Sequence, residues 1–361
     1  MGWKHLPNLS IQKLLSSKIF WLYLFSGGLL LGSILLGLLI SSVMMPVPVV
    51  FHIILNKTIG LTWIDDIPKN IELIIWEIRL PRVLLGLLIG ASLSLAGAAF
   101  QGLLRNPLAD PYTIGVSSGA SLGAVLVLYF EITILGLGSL TLPLFSVIGG
   151  FVALIIVFGM TRISNRGMAI ETIILSGIII SSFISAVISL LISLSDREDI
   201  GNILYWMMGS VAMRGWSYVW ILVPFFLIGV LILLKNYREL NALSLGEASA
   251  QHLGVDVKKK KIWILIGASL LTGASVAVSG SIGFVGLVIP HLVRLVAGPD
   301  HRHVLPLSML IGGAYLVLAD LISRTIVAPS ELPIGVITAL VGAPVFALLL
   351  MRQRTGRRNG R

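Results

Sequence analysis

The sequence predicts an all-α polytopic membrane protein, with about ten transmembrane helices arranged as two inverted repeats. Three observations carry that expectation. Of 361 residues, 56% are hydrophobic and 12% charged, with a mean hydropathy of +0.99, whereas an ordinary soluble domain carries about 25% charged residues. No water-soluble fold covers so much apolar surface with so few charges, so lipid is the solvent for most of the chain. The second observation is nine stretches of at least 16 residues without Asp, Glu, Lys or Arg. The third is the uneven sharing of Lys and Arg between the loops on the two sides of those stretches. This composition excludes a soluble enzyme and a disordered tail. The absence of cysteine also excludes a disulfide scaffold, a thiolate metal site and a cysteine nucleophile.

A helix needs about 20 apolar residues to cross the hydrocarbon core, and the uncharged stretches are assigned in order on that basis. Residues 19–56 supply the first crossing. Their apolar part, 19–43, is 25 residues, longer than the core of about 7 to 15 typical of a cleaved signal peptide, so it is expected to stay attached. Residues 83–104, 111–130, 132–161, 172–195 and 215–234 are the second to sixth crossings. Residues 262–293 exceed one span, and the glycines of SGSIGFVG at 279–286 interrupt them, giving the seventh and eighth. Residues 304–319 and 332–351 are the ninth and tenth.

With a cytoplasmic N-terminus, 19 of the 26 Lys and Arg residues fall inside and 7 outside, while 10 of the 16 carboxylates fall outside. That asymmetry is what the positive-inside rule requires, and an even number of crossings puts both termini in the cytoplasm. The pI near 10.0 thus reflects topology and contact with phospholipid, and nucleic acid is not an expected partner.

The hexapeptide LIGASL occurs at 88–93 and again at 265–270, near the start of crossings that run in opposite directions. It suggests inverted repeats over 79–195 and 258–351 within a single domain spanning 1–361, although six common membrane residues can also match by chance. Gly86 and Gly90, Gly115 and Gly119, and Gly119 and Gly123 are each four apart, a spacing that lets helix backbones approach closely. Gly115 to Gly119 also satisfies G-x-S-x-G, but a hydrolase elbow needs a strand-to-helix turn and a histidine base, and neither is expected here. Ser182, Ser185, Ser189 and Ser193 share one face of the fifth crossing. They either line an aqueous path or bond to carbonyls of their own helix. No Walker loop is present, so any ATP must be bound by another subunit. The 27-residue segment 235–261 can form short amphipathic helices between residues 239 and 253, with Lys258 to Lys261 marking the membrane edge.

The segments RLPR (79–82), GAAFQG (97–102), RNPLADP (105–111), GVSSGA (115–120), YWMMG (205–209), GFVGLVIPH (283–291), ELPIG (331–335) and GAPVF (342–346) resemble, in order, the FecCD family of ABC importer permeases. The resemblance implies a non-enzymatic permease that moves an iron-siderophore complex, haem or cobalamin across the cytoplasmic membrane. Its expected partners are a second permease copy, two ATPase subunits that carry the ATP and Mg, and an extracytoplasmic binding protein; no cofactor or metal is expected on this chain. By the same resemblance Arg79, Arg82 and Arg324 dock the binding protein, so charge reversal at Arg82 and Arg324 is expected to weaken docking and spare the fold. The 235–261 loop is the coupling segment, presenting Leu245, Gly246, Glu247 and Gly254 to the ATPases. The gate lies near Ile170, Glu171 and Thr172, and the translocation path at the dimer axis between the fifth and tenth crossings. The alternative is an ion- or proton-coupled secondary transporter, which would need an intramembrane acid; Asp320 and Glu171 are the candidates.

Overall fold

The computed structural model describes residues 8–41, 44–64, 67–163 and 169–358. Among them the chain is helical, with no strand. The first uncharged stretch is two helices rather than one. α1 (Asn8–Leu39) is the crossing, and α2 (Val47–Ile59) starts behind Pro46, where proline's fixed φ suits a helix start and its missing N–H costs nothing. α3 (Lys69–Leu73) runs through a π-turn at Ile74–Arg79 into α4 (Leu80–Leu103). A 3-10 turn at Pro111–Ile114 leads into the short α5 (Val116–Tyr129), so the third crossing begins five residues later than its uncharged stretch. α6 (Thr141–Ile163) and α7 (Ile170–Leu194) follow.

α8 (Arg197–Met207) was not expected from the hydropathy. It is a short amphipathic helix whose Glu198 and Asp199 complement the positive end of the helix dipole. α9 (Gly215–Lys235) is the sixth crossing, and the loop after it forms α10 (Tyr237–Ser244) and α11 (Glu247–His252). α12 (Val257–Ser279) ends at the expected glycine break, after which α13 (Val285–Ala297), α14 (His301–Thr325) and α15 (Ile334–Arg358) complete the chain. Among the described residues seven helical spans are long and apolar enough to cross a membrane, against the roughly ten crossings expected from the sequence; α2, α5, α13 and the first part of α15 are apolar but shorter.

α4 and α12, which carry the two copies of LIGASL, form the core. Their most apolar windows are 83% and 78% buried within the chain, against 22–39% for α1, α6, α7 and α9. The peripheral helices thus keep most of their apolar surface for lipid or another subunit. α4 packs most extensively on α14, and also on α12, α13 and α9. These contacts are made backbone to backbone: a Cβ on Gly90 would overlap the Gly312 carbonyl of α14, and one on Gly97 would overlap the Gly286 carbonyl of α13. Gly119 and Gly123 play the same part between α5 and α6. Gly86 is looser, with Val317 the nearest neighbour, and Gly115 caps the 3-10 turn at φ 87°.

Candidate functional site

Three regions hold the residues singled out by the sequence. Two lie at opposite ends of the antiparallel pair α4 and α14, and the third lies on the outward faces of α7 and α15.

At the first end, the α10–α11 unit is anchored to the bundle along its base. Leu240 and Leu243 of α10 are buried. Asn241 Oδ1 accepts from both the backbone N–H and the Nδ1–H of His301, at 2.8 Å each, while its Nδ2 donates to Asp300 Oδ1 at 2.7 Å. Asp300 in turn caps the start of α14 by accepting from Arg302 N at 2.9 Å. Burial alone would raise the Asp300 carboxyl, but the Arg302 N–H and the Asn241 amide outweigh it and hold the group below the usual carboxylate range. The His301 ring presses against Gly102, near the end of α4, where any side chain would collide with it. Asn241 therefore ties the loop to the start of α14, where His301 in turn packs on α4.

Lys260 pairs with Glu239 at 2.7 Å, and the buried Lys261 pairs with Glu247 at 2.6 Å. Glu247, expected to face a partner, thus leans back on its own chain, although its side chain remains 40% exposed. Gly246 and Gly254, at φ 115° and 81°, allow the sharp turns on either side of α11. Leu245 and Leu253 next to them stand in solvent, 69% and 66% exposed. Two large apolar side chains thus stand exposed on a braced base.

At the opposite end, Arg79, Arg82 and Arg324 lie close together, and all three are buried. Arg79 Nη1 donates to the carbonyls of Leu38 and Leu39 at 2.9 and 3.2 Å, and Arg324 Nη2 donates to that of Gly37. The two thereby bind carbonyls at the negative end of α1, where Leu39 O also accepts from Met45 N at 3.1 Å. Arg82 binds two carboxylates. Its Nε and Nη2 reach Asp320 at 2.9–3.1 Å, and its Nη1 and Nη2 reach Glu331 at 2.8 and 2.9 Å. Arg324 Nε adds a contact to Asp320 at 3.7 Å. Among the described residues the cluster sets three cations against two carboxylates, and of these carboxylates Glu331 is the accessible one, with 33% side-chain exposure against 3% for Asp320. Reversing Arg82 or Arg324 would set a new carboxylate against the buried Asp320, a cost in stability that the sequence-based expectation of a spared fold does not include. Asp320, a coupling acid in the secondary-transporter reading, is fully engaged by Arg82.

Ser182, Ser185, Ser189 and Ser193 are all exposed on α7, beside the equally exposed Phe183, Leu190 and Leu194. Bonding of serine or threonine to a preceding carbonyl occurs at Thr272, Ser275 and Ser279 of buried α12, and also at Ser26, Thr161 and Ser195. Ile170 and Thr172 are half-buried at the start of α7. Glu171 there is exposed and sits in a first turn that lacks a side-chain cap, a position where a negative charge is favourable. An apolar cavity of about 390 Å³ opens between Met208, Ser281, Phe284 and the start of α15 at Gly335, Val336 and Leu340. Among the described residues no group of His, Asp or Glu could hold a metal ion.

No sequence pattern points to Asn241 or His301, whose partnership spans 60 residues. Asp300 could have been found as a helix-capping residue ahead of the ninth crossing, and the Lys260 and Lys261 pairs from the acids facing the lysine run.

The FecCD transport family matches residues 29–352. The chain is 52% identical over 337 residues to the uncharacterized ABC transporter permease protein YvrB of Bacillus subtilis, covering 93% of this chain and 95% of that one. It is 44% identical over 295 residues to the cobalamin import system permease protein BtuC of Halobacterium salinarum, covering 80% and 76%. A solved structure of a metal-chelate type ABC transporter in an inward-facing conformation superposes with a TM-score of 0.78 at 35% identity, covering 92% of this chain and 98% of that one. The chain belongs to the FecCD transport family and is an ABC importer permease of that type.

Proposed function

We propose that the protein takes up an iron-siderophore complex, haem or cobalamin through the cytoplasmic membrane, as a pair of permease copies driven by two separate ATPase subunits that bind the ATP and Mg. In this reading the α10–α11 end and both termini are cytoplasmic. The exposed Leu245 and Leu253, with Gly246, Glu247 and Gly254 shaping and bracing the unit, enter the ATPases. The arginine cluster faces outward. There the surplus positive charge around Arg79, Arg82 and Arg324 attracts an acidic side chain of the binding protein, with Glu331 the carboxylate it can displace. The path runs between the two copies, walled by Ser182, Ser185, Ser189 and Ser193 of α7 and by α15, with Ile170, Glu171 and Thr172 near its inner mouth. Hydroxyls interspersed with apolar side chains hydrate a bulky polar cargo without holding it. No chemistry is done on the cargo, and the chain has no catalytic residue.

The observation that carries this reading is the α10–α11 unit, with its base fixed to the start of α14 by Asn241 and its leucines displayed. The test is purification from native membranes in mild detergent with identification of stoichiometric partners. An ATPase at one copy per permease, and a binding protein whose fluorescence responds to haem, cobalamin or a ferric siderophore, is the expected result. A permease that purifies alone and transports in liposomes without ATP would overturn it.

A further inference from the structure

At the end of α4 the backbone makes a Schellman turn: Asn106 N bonds to Gln101 O at 3.2 Å, and Arg105 N to Gly102 O at 3.4 Å. The residue that must turn left-handed in such a cap is usually glycine, yet here it is Arg105, at φ 51°. A side chain kept in a conformation that glycine would adopt more easily needs a reason, and the chain's own interior supplies none. Arg105 is exposed and makes no ion pair among the described residues. Its guanidinium lies beside Gly246, where a Cβ would be 3.5 Å from Nη1. That is the N-terminus of α11, the end of a helix that disfavours a cation. Glu247, the acid next to Gly246, is committed to Lys261, and Asp110, the acid nearest Arg105 in sequence, caps the following 3-10 turn. Two large apolar side chains near it are also exposed: Leu245, next to Gly246, at 69%, and Leu108, three residues after Arg105, at 46%.

We propose that Arg105 extends the ATPase contact surface beyond the α10–α11 unit, pairing with a carboxylate on the ATPase subunit. The inference rests on the reading of that unit given above. The α4–α5 turn and the α10–α11 unit then form one surface, in which a cation near Leu108 and Leu245 meets an acidic side chain set in an apolar rim. An unpaired guanidinium at the edge of such a surface steers the partner and fixes its register.

The test compares wild type with Arg105→Gly, Arg105→Glu and Leu245→Asp, reading the affinity for the ATPase subunit that co-purifies with wild type and the melting temperature of each permease alone. Arg105→Gly suits the turn better, so its melting temperature is expected to hold or rise while its affinity falls about fivefold and loses part of its dependence on ionic strength. Arg105→Glu is expected to lose more than tenfold. If wild type retains the ATPase, Leu245→Asp releases it, and both Arg105 variants bind as wild type does, this inference falls while the proposed function stands. If wild type itself captures no ATPase, the proposed function falls first. An Arg105→Gly variant that binds the ATPase normally but no longer responds to the anionic lipid content of reconstituted vesicles would assign Arg105 to a phospholipid headgroup instead, and would overturn the inference.

Discussion

Replacing Asp320 with Asn removes the negative charge at the centre of the arginine cluster while keeping the side chain's volume. Asp320 accepts three hydrogen bonds from Arg82, the shortest at 2.9 Å, and lies 3.7 Å from Arg324. At an effective dielectric of about 20, those two charge pairs are worth roughly 6 and 4 kcal/mol before the cost of burying the charges. Most of that is offset by desolvation, but breaking a buried pair from one side leaves the partner uncompensated and costs about 3–5 kcal/mol. Here it leaves the three arginines of the cluster against one carboxylate. Glu331→Gln removes the other carboxylate from Arg82, at 33% side-chain exposure, where water screens the loss to about 1 kcal/mol or less. Thermal unfolding in detergent, followed by size-exclusion chromatography after a heating series, should therefore show a large drop for Asp320→Asn and a small one for Glu331→Gln. Equal drops, or no drop for Asp320→Asn, would refute the assignment of Asp320 as the buried keystone of the cluster.

Glu331→Gln leaves half of the Arg82 fork without its carboxylate, so it should tighten docking of the binding protein, measured by its dissociation rate from immobilised permease; faster dissociation would count against Glu331 as the displaceable group. Asn241→Ala leaves two donors of buried His301 without an acceptor, at a cost of about 1–3 kcal/mol each; the expected outcome is retained ATPase binding with reduced transport per ATP hydrolysed, and unchanged coupling would remove Asn241 from the transmission route. Gly97→Ala should destabilise through overlap with the Gly286 carbonyl, by about 1–3 kcal/mol or more. Gly159→Ala, in a helix where the added methyl meets nothing within 4 Å, should stabilise by up to about 1 kcal/mol; the two melting temperatures should move in opposite directions.

The fold class was legible because hydropathy acts on whole segments, and the break at 279–286 was legible because glycine weakens a helix wherever it clusters. The division of the first stretch into α1 and α2 was not, since a charge-free run hides a turn made by prolines. α8 was missed for the opposite reason, its charges masking an amphipathic period. At the sites, charge counting put Arg79, Arg82 and Arg324 on one side together but said nothing of burial, because burial depends on which carboxylates and helix ends converge there. Glu331 and Asp320 lie some 240 residues from Arg82 in sequence. The Asn241 anchor is likewise a long-range pairing of unremarkable residues, invisible without the fold.

The Gly90–Gly312 crossing falls near the middle of both α4 and α14. α14 is held at one end by Asn241 and at the other by Arg82, and at 1.5 Å per residue the two arms on either side of Gly312 measure about 17 and 20 Å. Such a helix behaves as a nearly symmetric lever on a glycine fulcrum. A tilt of about 10° would carry each end about 3 Å in opposite directions, a step on the scale of the one-turn-or-less helix shifts that proteins use to switch state. A bulkier residue at Gly312 or Gly90 would seize the fulcrum and leave both ends intact yet unable to answer one another.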